Sequence, residues 1–424
     1  MTIIGESQYK PRIPFVYDRF FRMCNATDIA PELNTVLLTL GRLPVALEIA
    51  RSFAAIGWRV VVAEPFGLHL LRHSRSVSDS YQTPAPRHDP RAYRQALCDI
   101  IEREQVALVV PVSEETLHVA ALAAQIDCPL YCPPPAALLT LHDKLLFNKA
   151  AHAAGLSVPR SCALDSEQSA ILATDACVVK PRLSCSGRGV VHYAPGELLS
   201  CLPSPHRTED PEHPDQQTKV PSQLGLPQDS LVQQAVEGQE LSSLALARDG
   251  QVVANVVYRA NVRSGSVAVV FERVAHPAIS QWVDAFVAHQ RHTGFIGFDF
   301  IIDAQGVPYA LECNPRANSG IHFFSGSALA KAILDSEQVN VRAESVLQES
   351  YSTFTTVLGR LTNRDARREA FGWLRRARDV TWSRDDPWPF LLMTINTWPL
   401  IYRAIRHRQT FAEVAALDLE YSRE

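Results

Sequence analysis

The segment GFIGFDFIIDAQGVPYALECNPRANSG, residues 294 to 320, constrains the fold more than any other part of the chain. Two apolar runs flank Asp303-Ala304-Gln305-Gly306, so the segment reads as a β-hairpin. Alternation sets Ile296, Phe298, Phe300 and Ile302 on one face and Asp299 on the other, while Glu312, Asn314 and Arg316 share a face of the return strand. A turn centred between Ala304 and Gln305 puts Asp299 opposite Ala310 and diagonal to Glu312. Diagonal neighbours lie about 7 to 8 Å apart, near enough for two carboxylates to converge on one or two cations. With Asn314 as a third oxygen ligand, the set suits Mg²⁺ held together with a nucleotide better than zinc, with Mn²⁺ as the second candidate. A solvated sheet face would also carry an Asp and a Glu, so the hairpin alone does not decide.

A second element does more. CVVKPRLSCSGRGVV is a strand ending in Lys180, a loop through Ser184, Ser186, Gly187, Arg188 and Gly189, and another strand. Small residues let backbone N–H groups approach phosphate oxygens, and a lysine fixed at a strand end supplies a point charge. It is not the GxxxxGK[ST] pattern, and Ser/Gly loops between strands are also ordinary turns.

The rest of the chain organises around these two. Residues 35 to 64 read as a βαβ unit, and a helix at 91 to 104, a strand at 106 to 112 and a helical stretch from Glu114 to Gln125 extend it to an open parallel α/β domain over residues 1 to 140. Gly41 is the only glycine in its first strand-to-helix turn, where a dinucleotide fingerprint needs three, so Glu64 at the end of the second strand fits a scaffold better than a ribose site. Residues 141 to 327 open with one helix, HDKLLFNKAAHAAG, and become strand-rich α+β; residues 203 to 230 read as a polar surface loop. Residues 328 to 424 form a helical extension to which the sequence assigns no chemistry.

Bulk properties exclude several classes. A chain of 424 residues with 46% hydrophobic and 20% charged residues folds into two or three domains, and a net charge of -4 without a basic run argues against nucleic-acid binding. Nine scattered cysteines fit reduced thiols in a cytoplasmic protein, and Cys128 and Cys132 lack a second ligand pair for zinc. No signal peptide is evident at the N-terminus. The apolar stretch Trp388 to Ile401 is too short and too interrupted by Pro389 and Pro399 to span a membrane; packing against a domain is favoured over lying on a membrane surface.

Lys144 in HDKLLF, Lys180 with Gly187-Arg188-Gly189, QQAVEGQEL, FDF and ECNPR occur in an order and at intervals that resemble the ATP-grasp superfamily, which includes biotin carboxylase, carbamoyl phosphate synthetase and D-alanine:D-alanine ligase. The resemblance covers about residues 35 to 327 and implies an N-terminal pre-ATP-grasp domain, then an ATP-grasp domain with a lid over about 156 to 235. It implies that Lys144 and Lys180 bind ATP phosphates under the 184 to 189 loop, with Ser186, Gly187 and Gly189 against them. Val178 and Leu311 would sandwich adenine, Gln233, Gln234 and Val236 would form the hinge that reads its edge, and Glu240 would lie near the nucleotide. Asp299, Glu312 and Asn314 match the Mg²⁺ ligands, and Arg316 matches the arginine that holds the reacting phosphate or carboxylate. Gln233 departs from the glutamate that often accepts ribose hydroxyls there, which implies weaker ATP binding or altered nucleotide choice.

The resemblance implies a ligase that phosphorylates a substrate carboxylate and condenses the acyl phosphate with an amine, both small molecules. Positioning and charge neutralisation carry such a reaction, so Cys185, Ser184 and Ser186 need no covalent role. Arg263 and Arg273 are candidates for substrate anions, and His276, His289 and His322 for the base, each more ordinarily structural. The rivals are bicarbonate activation, disfavoured by the lack of a biotin-carrier signature; an ATP-binding switch or scaffold; and an NAD enzyme on the βαβ unit. The C-terminal helices leave a homodimer open.

Overall fold

The computed structural model describes residues 34–184, 189–202, 229–264, 267–324, 326–335, 341–359, 364–407 and 411–419. The polar loop expected at 203–230 lies almost wholly outside them, as do Ser186 and Gly187.

The first sheet is parallel. Strands β1 (Thr35–Leu38), β2 (Arg59–Glu64), β3 (Asp79–Gln82) and β4 (Val106–Val110) run in the order β3-β2-β1-β4, with α1 (Pro44–Ala55) and α2 (Pro90–Glu104) as crossovers. β1, β4 and the centre of β2 are apolar because they are covered on both faces of the sheet, while the edge strand β3 is polar and partly exposed. Both helices begin with proline, whose missing N–H costs nothing there, and Asp89 caps α2 by accepting the Ala92 N–H at 2.9 Å. Gly41 in the β1–α1 turn is required by close packing: a Cβ there would stand 2.4 Å from the His69 ring.

Two expected helices are shorter or divided. Only α3 (Thr116–Ala120) is regular within 114–125, because the Glu115 carboxylate accepts the N–H groups of Val112 and Ser113 and draws the chain into a turn before it. Residues 142–155 are split between α4 (Pro135–His142) and α5 (Lys144–Ala153). Asp143 stands extended between them and its side chain accepts from Leu145 N and Leu146 N, ending one helix and starting the next.

The next strands form two antiparallel sheets. A small one, in the order β5-β8-β6-β7, contains β5 (Ser161–Ala163), β6 (Cys177–Pro181), β7 (Val191–Tyr193) and β8 (Ser230–Gln234), with α6 (Gln168–Leu172) against it. The larger contains β9 (Gln239–Arg248), β10 (Gln251–Ser264), β11 (Val267–Val274), β12 (Gly294–Ile302) and β13 (Pro308–Asn314), in the order β13-β12-β9-β10-β11. Helix α7 (Pro277–Gln290) and α5 cover one face, where Phe147, Trp282, Phe286, Phe298 and Phe300 meet edge-to-face and tilted, with Trp282 and Phe286 stacked. That aromatic layer takes the even-numbered side chains of β12 and leaves Asp299 on the open face.

The C-terminal region is less purely helical than its sequence reads. After α8 (Ala328–Asp335), β14 (Val346–Gln348) and β15 (Arg378–Asp379) extend the large sheet beyond β11, on either side of α9 (Ser350–Gly359) and α10 (Arg364–Arg376). Three and two residues are too few to display a period. Helices α11 (Trp388–Leu391), α12 (Met393–Asn396), α13 (Trp398–His407) and α14 (Phe411–Ala416) then return to the parallel sheet. No helix among the described residues is long and apolar enough to cross a membrane. The Trp388 segment packs as expected through Met393 and Leu400, yet Trp388, Leu391, Ile395, Trp398, Tyr402 and Ile405 on its other side are exposed.

One buried ion network fastens this return. Arg42 pairs with Glu64 at 2.6 Å and with Asp418 at 2.6 Å, all three almost fully buried, and its guanidinium lies 4.0 Å over the Phe66 ring. Burial alone would lower the Arg42 pKa, but the two carboxylates more than reverse it. Arg42→Ala strands two buried carboxylates, so we expect it to cost about 3–5 kcal/mol. It should lower the urea midpoint and speed proteolysis of residues beyond 376; an unchanged midpoint would contradict the role given to this network.

Candidate active site

The hairpin sets the site, and its register differs from the one expected. Ile302 pairs with Pro308, Ile301 with Tyr309 and Phe300 with Ala310, and then a bulge makes Asp299 pair directly with Glu312. The correction has two sources: the turn is one residue longer than assumed, closed by Asp303 accepting Gln305 N and Val307 N, and Leu311 is the extra residue of the bulge. The carboxylates therefore stand side by side rather than diagonally, and Leu311 opens to the same cavity as Glu312.

Asp299 and Glu312 are held differently. Burial, and then the charge of Glu312, raise the Asp299 carboxyl, which accepts from Ser242 Oγ at 2.7 Å and Asn314 Nδ2 at 3.0 Å. Burial would raise Glu312 as well, but Lys144, 3.5 Å away, and Lys180 hold it below the usual range. Two carboxylates and an amide oxygen on one sheet face, with one carboxyl pushed up by the other, form a donor set whose repulsion a divalent cation would relieve. The described residues contain no cluster of three or more His, Cys, Asp or Glu suited to a metal, so such a cation would depend on Asn314 or on a ligand's oxygens.

These residues line one wall of a cavity of about 1020 Å³. Val178 and Lys180 on β6 face Leu311 and Glu312 across it, and Gln233, Gln234, Ala235 and Val236 form the edge where the two sheets meet. Lys180 is buried with Nζ 3.3 Å from the Leu311 carbonyl; burial lowers its pKa to about 8, against the partial support of Glu312. Gly238, which follows this edge, has no room for a side chain, since a Cβ would lie 1.9 Å from the Ile302 carbonyl oxygen.

Other expected residues are brought near in unexpected ways. Lys144 donates to the Ser184 carbonyl at 2.6 Å and supports Glu312 from behind, without lining the cavity. Gln233 spends its amide N–H on Ser161 Oγ at 3.1 Å, and Gln234 accepts from Arg160. Glu240 lines the cavity in an ion pair with Arg263 at 2.7 Å. Gly189 adopts the left-handed region, φ +70°, beside the loop residues that lie outside the described set.

The three candidate histidines do not line the cavity, although His192 does. His322 is buried against Glu48 and stacked on Phe271, His276 accepts from Ile279 N at the start of α7, and His289 lies beside Gln290 on the surface. Arg273 donates to the Arg342 carbonyl away from the lining.

Sequence reasoning missed Glu114. It follows β4, where open parallel sheets bind ligands at strand carboxyl ends, and accepts from Arg316 Nε at 2.7 Å. Burial would raise Glu114, but Arg316 first and His142 next hold it low, so it is a buried anion that aims Arg316 from the first sheet. Its Ser113-Glu114-Glu115 position after a strand was the available signal. Ser242, the Asp299 partner, carried none.

The ATP-grasp domain model matches residues 141–320. No curated protein matches the sequence. Among solved structures, the chain resembles N5-carboxyaminoimidazole synthetase from Staphylococcus aureus (14% identity over 78% of this chain and 86% of that one, TM-score 0.57). It also resembles the L-amino acid ligase from Bacillus licheniformis (17%, 72% and 75%, TM-score 0.52). A third is the biotin carboxylase domain of Hydrogenobacter thermophilus 2-oxoglutarate carboxylase, solved with MgADP, ADP and bicarbonate (15%, TM-score 0.53); the match covers 68% of this chain and 64% of that domain. The architecture is that of the ATP-grasp fold, and the part of the chain that matches the ATP-grasp domain model is residues 141–320.

Asp143 joins the small sheet to α5: besides capping α5 it pairs with Arg182, just past β6, at 2.6 Å. Asp143→Ala should lower stability by about 1–3 kcal/mol through the lost cap and hydrogen bonds. Hydrogen exchange should rise in both α5 and β6; a change confined to α5 would show that the pair does not couple them.

Proposed function

We propose that the protein is an ATP- and Mg²⁺-dependent ligase that phosphorylates a substrate carboxylate and condenses it with an amine, releasing ADP and phosphate. The observation that carries this reading is the side-by-side Asp299–Glu312 pair on the wall of a cavity that also receives Lys180 and Arg316. It is supported by the ATP-grasp match and by solved neighbours that include a ligase and a synthetase.

Adenine would lie between Val178 and Leu311, with its edge toward the backbone of Gln234 to Val236. Lys180 would take the phosphates from the cavity wall, Lys144 would join it only on leaving the Ser184 carbonyl, and Arg316, aimed by Glu114, would hold the transferring phosphoryl or the acid. Asp299, Glu312 and Asn314 would hold Mg²⁺, which supplies charge neutralisation at the phosphates. A carboxylate oxygen then displaces ADP from the γ-phosphorus, and an amine attacks the acyl carbon with phosphate as the leaving group. A closed cavity protects that acyl phosphate from water. Cys313, buried with its thiol pushed up by burial, is unsuited to act as a nucleophile.

The test is ADP and phosphate release from Mg-ATP over amino acids, small carboxylates and bicarbonate, singly and in pairs. Turnover with a particular acid and amine, falling at least about 100-fold in Glu312→Gln, is the expected result. Turnover with bicarbonate alone would favour carboxylate activation of the rival kind, and ATP binding without turnover would favour a switch.

Cation binding should depend on pH. Asp299 carries a proton below about pH 6, and a cation must displace it. Calorimetric Mg²⁺ affinity should therefore be level above pH 7 and fall about tenfold per unit below pH 6. A level profile from pH 5 to 8 would remove Asp299 from the ligand set.

A further inference from the structure

The cavity continues beyond the reaction centre, and its far lobe is of different character. From Arg316 the wall passes to Glu114 after β4 and then to the neighbouring β1–α1 turn, where Leu43, Pro44 and Val45 line it. The C-terminal helices close the lobe with Met393, Ile401 and Ala404 from α12 and α13 and with Ala415 from α14, and the exposed Ile405 stands at its rim. Polar groups here are already engaged. Arg42 is bound by Glu64 and Asp418, and Thr397 Oγ1 donates to the Met393 carbonyl in its own helix. Arg42 has no N–H left for a ligand, and Thr397 has already committed its one donor and keeps only acceptor lone pairs. At about 1020 Å³ the whole cavity lies at the upper limit of ordinary ligand sites, which run roughly 300–1,000 Å³, so it has room for more than a nucleotide.

We infer that this lobe is a subsite for an aliphatic or aromatic group carried by one of the two ligated substrates, and that the C-terminal segment exists in part to build it. The inference rests on the ligase reading for the chemistry at the other end of the cavity, but the apolar site can be tested without turnover.

The experiment titrates the full-length protein, by calorimetry, with unbranched alkanoates from four to ten carbons and with the matching alkylamines. ADP with Mg²⁺ is titrated separately. In one series the affinity should rise about fourfold per methylene, the usual gain for burying a CH₂, and level off once the lobe is full. Ala404→Trp, which fills the lobe, should bring that plateau several carbons earlier. Ile405→Glu, at an exposed position that tolerates a charge for folding, should weaken the longest ligands at least tenfold. The series that shows the gradient tells whether the acid or the amine carries the apolar group. Affinities independent of chain length in both series would overturn the proposal, as would an unshifted plateau in Ala404→Trp that still binds ADP. Loss of ADP binding with the gradient intact would instead sink the ligase reading and leave the apolar site standing.

Discussion

Two carboxylates side by side in a buried wall repel one another by about 3 kcal/mol at 5 Å and an effective dielectric near 20. The rest of the candidate site is arranged around that repulsion. The bulge at Leu311 puts Glu312 beside Asp299, Lys144 and Lys180 keep Glu312 ionised, and Ser242 and Asn314 hydrogen-bond Asp299. The lysines belong to elements from outside the hairpin, so this charge balance ties α5 and β6 to the large sheet. Asp143 adds a second tie by capping α5 and pairing with Arg182. The same contacts that steady the carboxylates set the spacing between the small sheet and the large one, across which the cavity opens.

What was legible in the sequence is what repeats with a period or stands in a fixed local order. The alternation of Ile296, Phe298, Phe300 and Ile302 announced both the strand and its buried face, and the aromatic layer confirms it. The parallel βαβ start was legible for the same reason. The register across the hairpin was not, because one bulge residue leaves the alternation within each strand readable while sliding one strand against the other. Asp143 illustrates another limit: HDKLLF reads as continuous helix, and only the side-chain bonds to Leu145 and Leu146 reveal a cap there.

Contacts between distant segments were the least legible part. Glu114 and Arg316 are 202 residues apart, and Arg42 and Asp418 are 376 apart. Arg316 stood out in ECNPR, but Glu114, Arg42 and Asp418 are ordinary charged residues in their local sequence. Burial gives them meaning, since a buried guanidinium must be matched by carboxylates wherever the chain can supply them. Histidine shows the converse: His322 stands near the Asn-Pro-Arg segment in sequence, but Glu48 and Phe271 hold it in the core beneath.

The C-terminal helices follow from these constraints. Their apolar residues divide three ways: Met393 and Leu400 pack, Ile401 and Ala404 face the cavity, and Trp398 and Tyr402 remain exposed. Helix α13 is strongly amphipathic, but a stripe does not say which of three environments each apolar residue meets, which is why the sequence yields helices without a task for them. The buried Arg42–Asp418 pair explains how a segment with few core residues can stay seated over the cavity. A charged pair taken out of water is an inefficient source of stability, but it holds only one geometry, and a fixed geometry keeps the wall of the cavity in place.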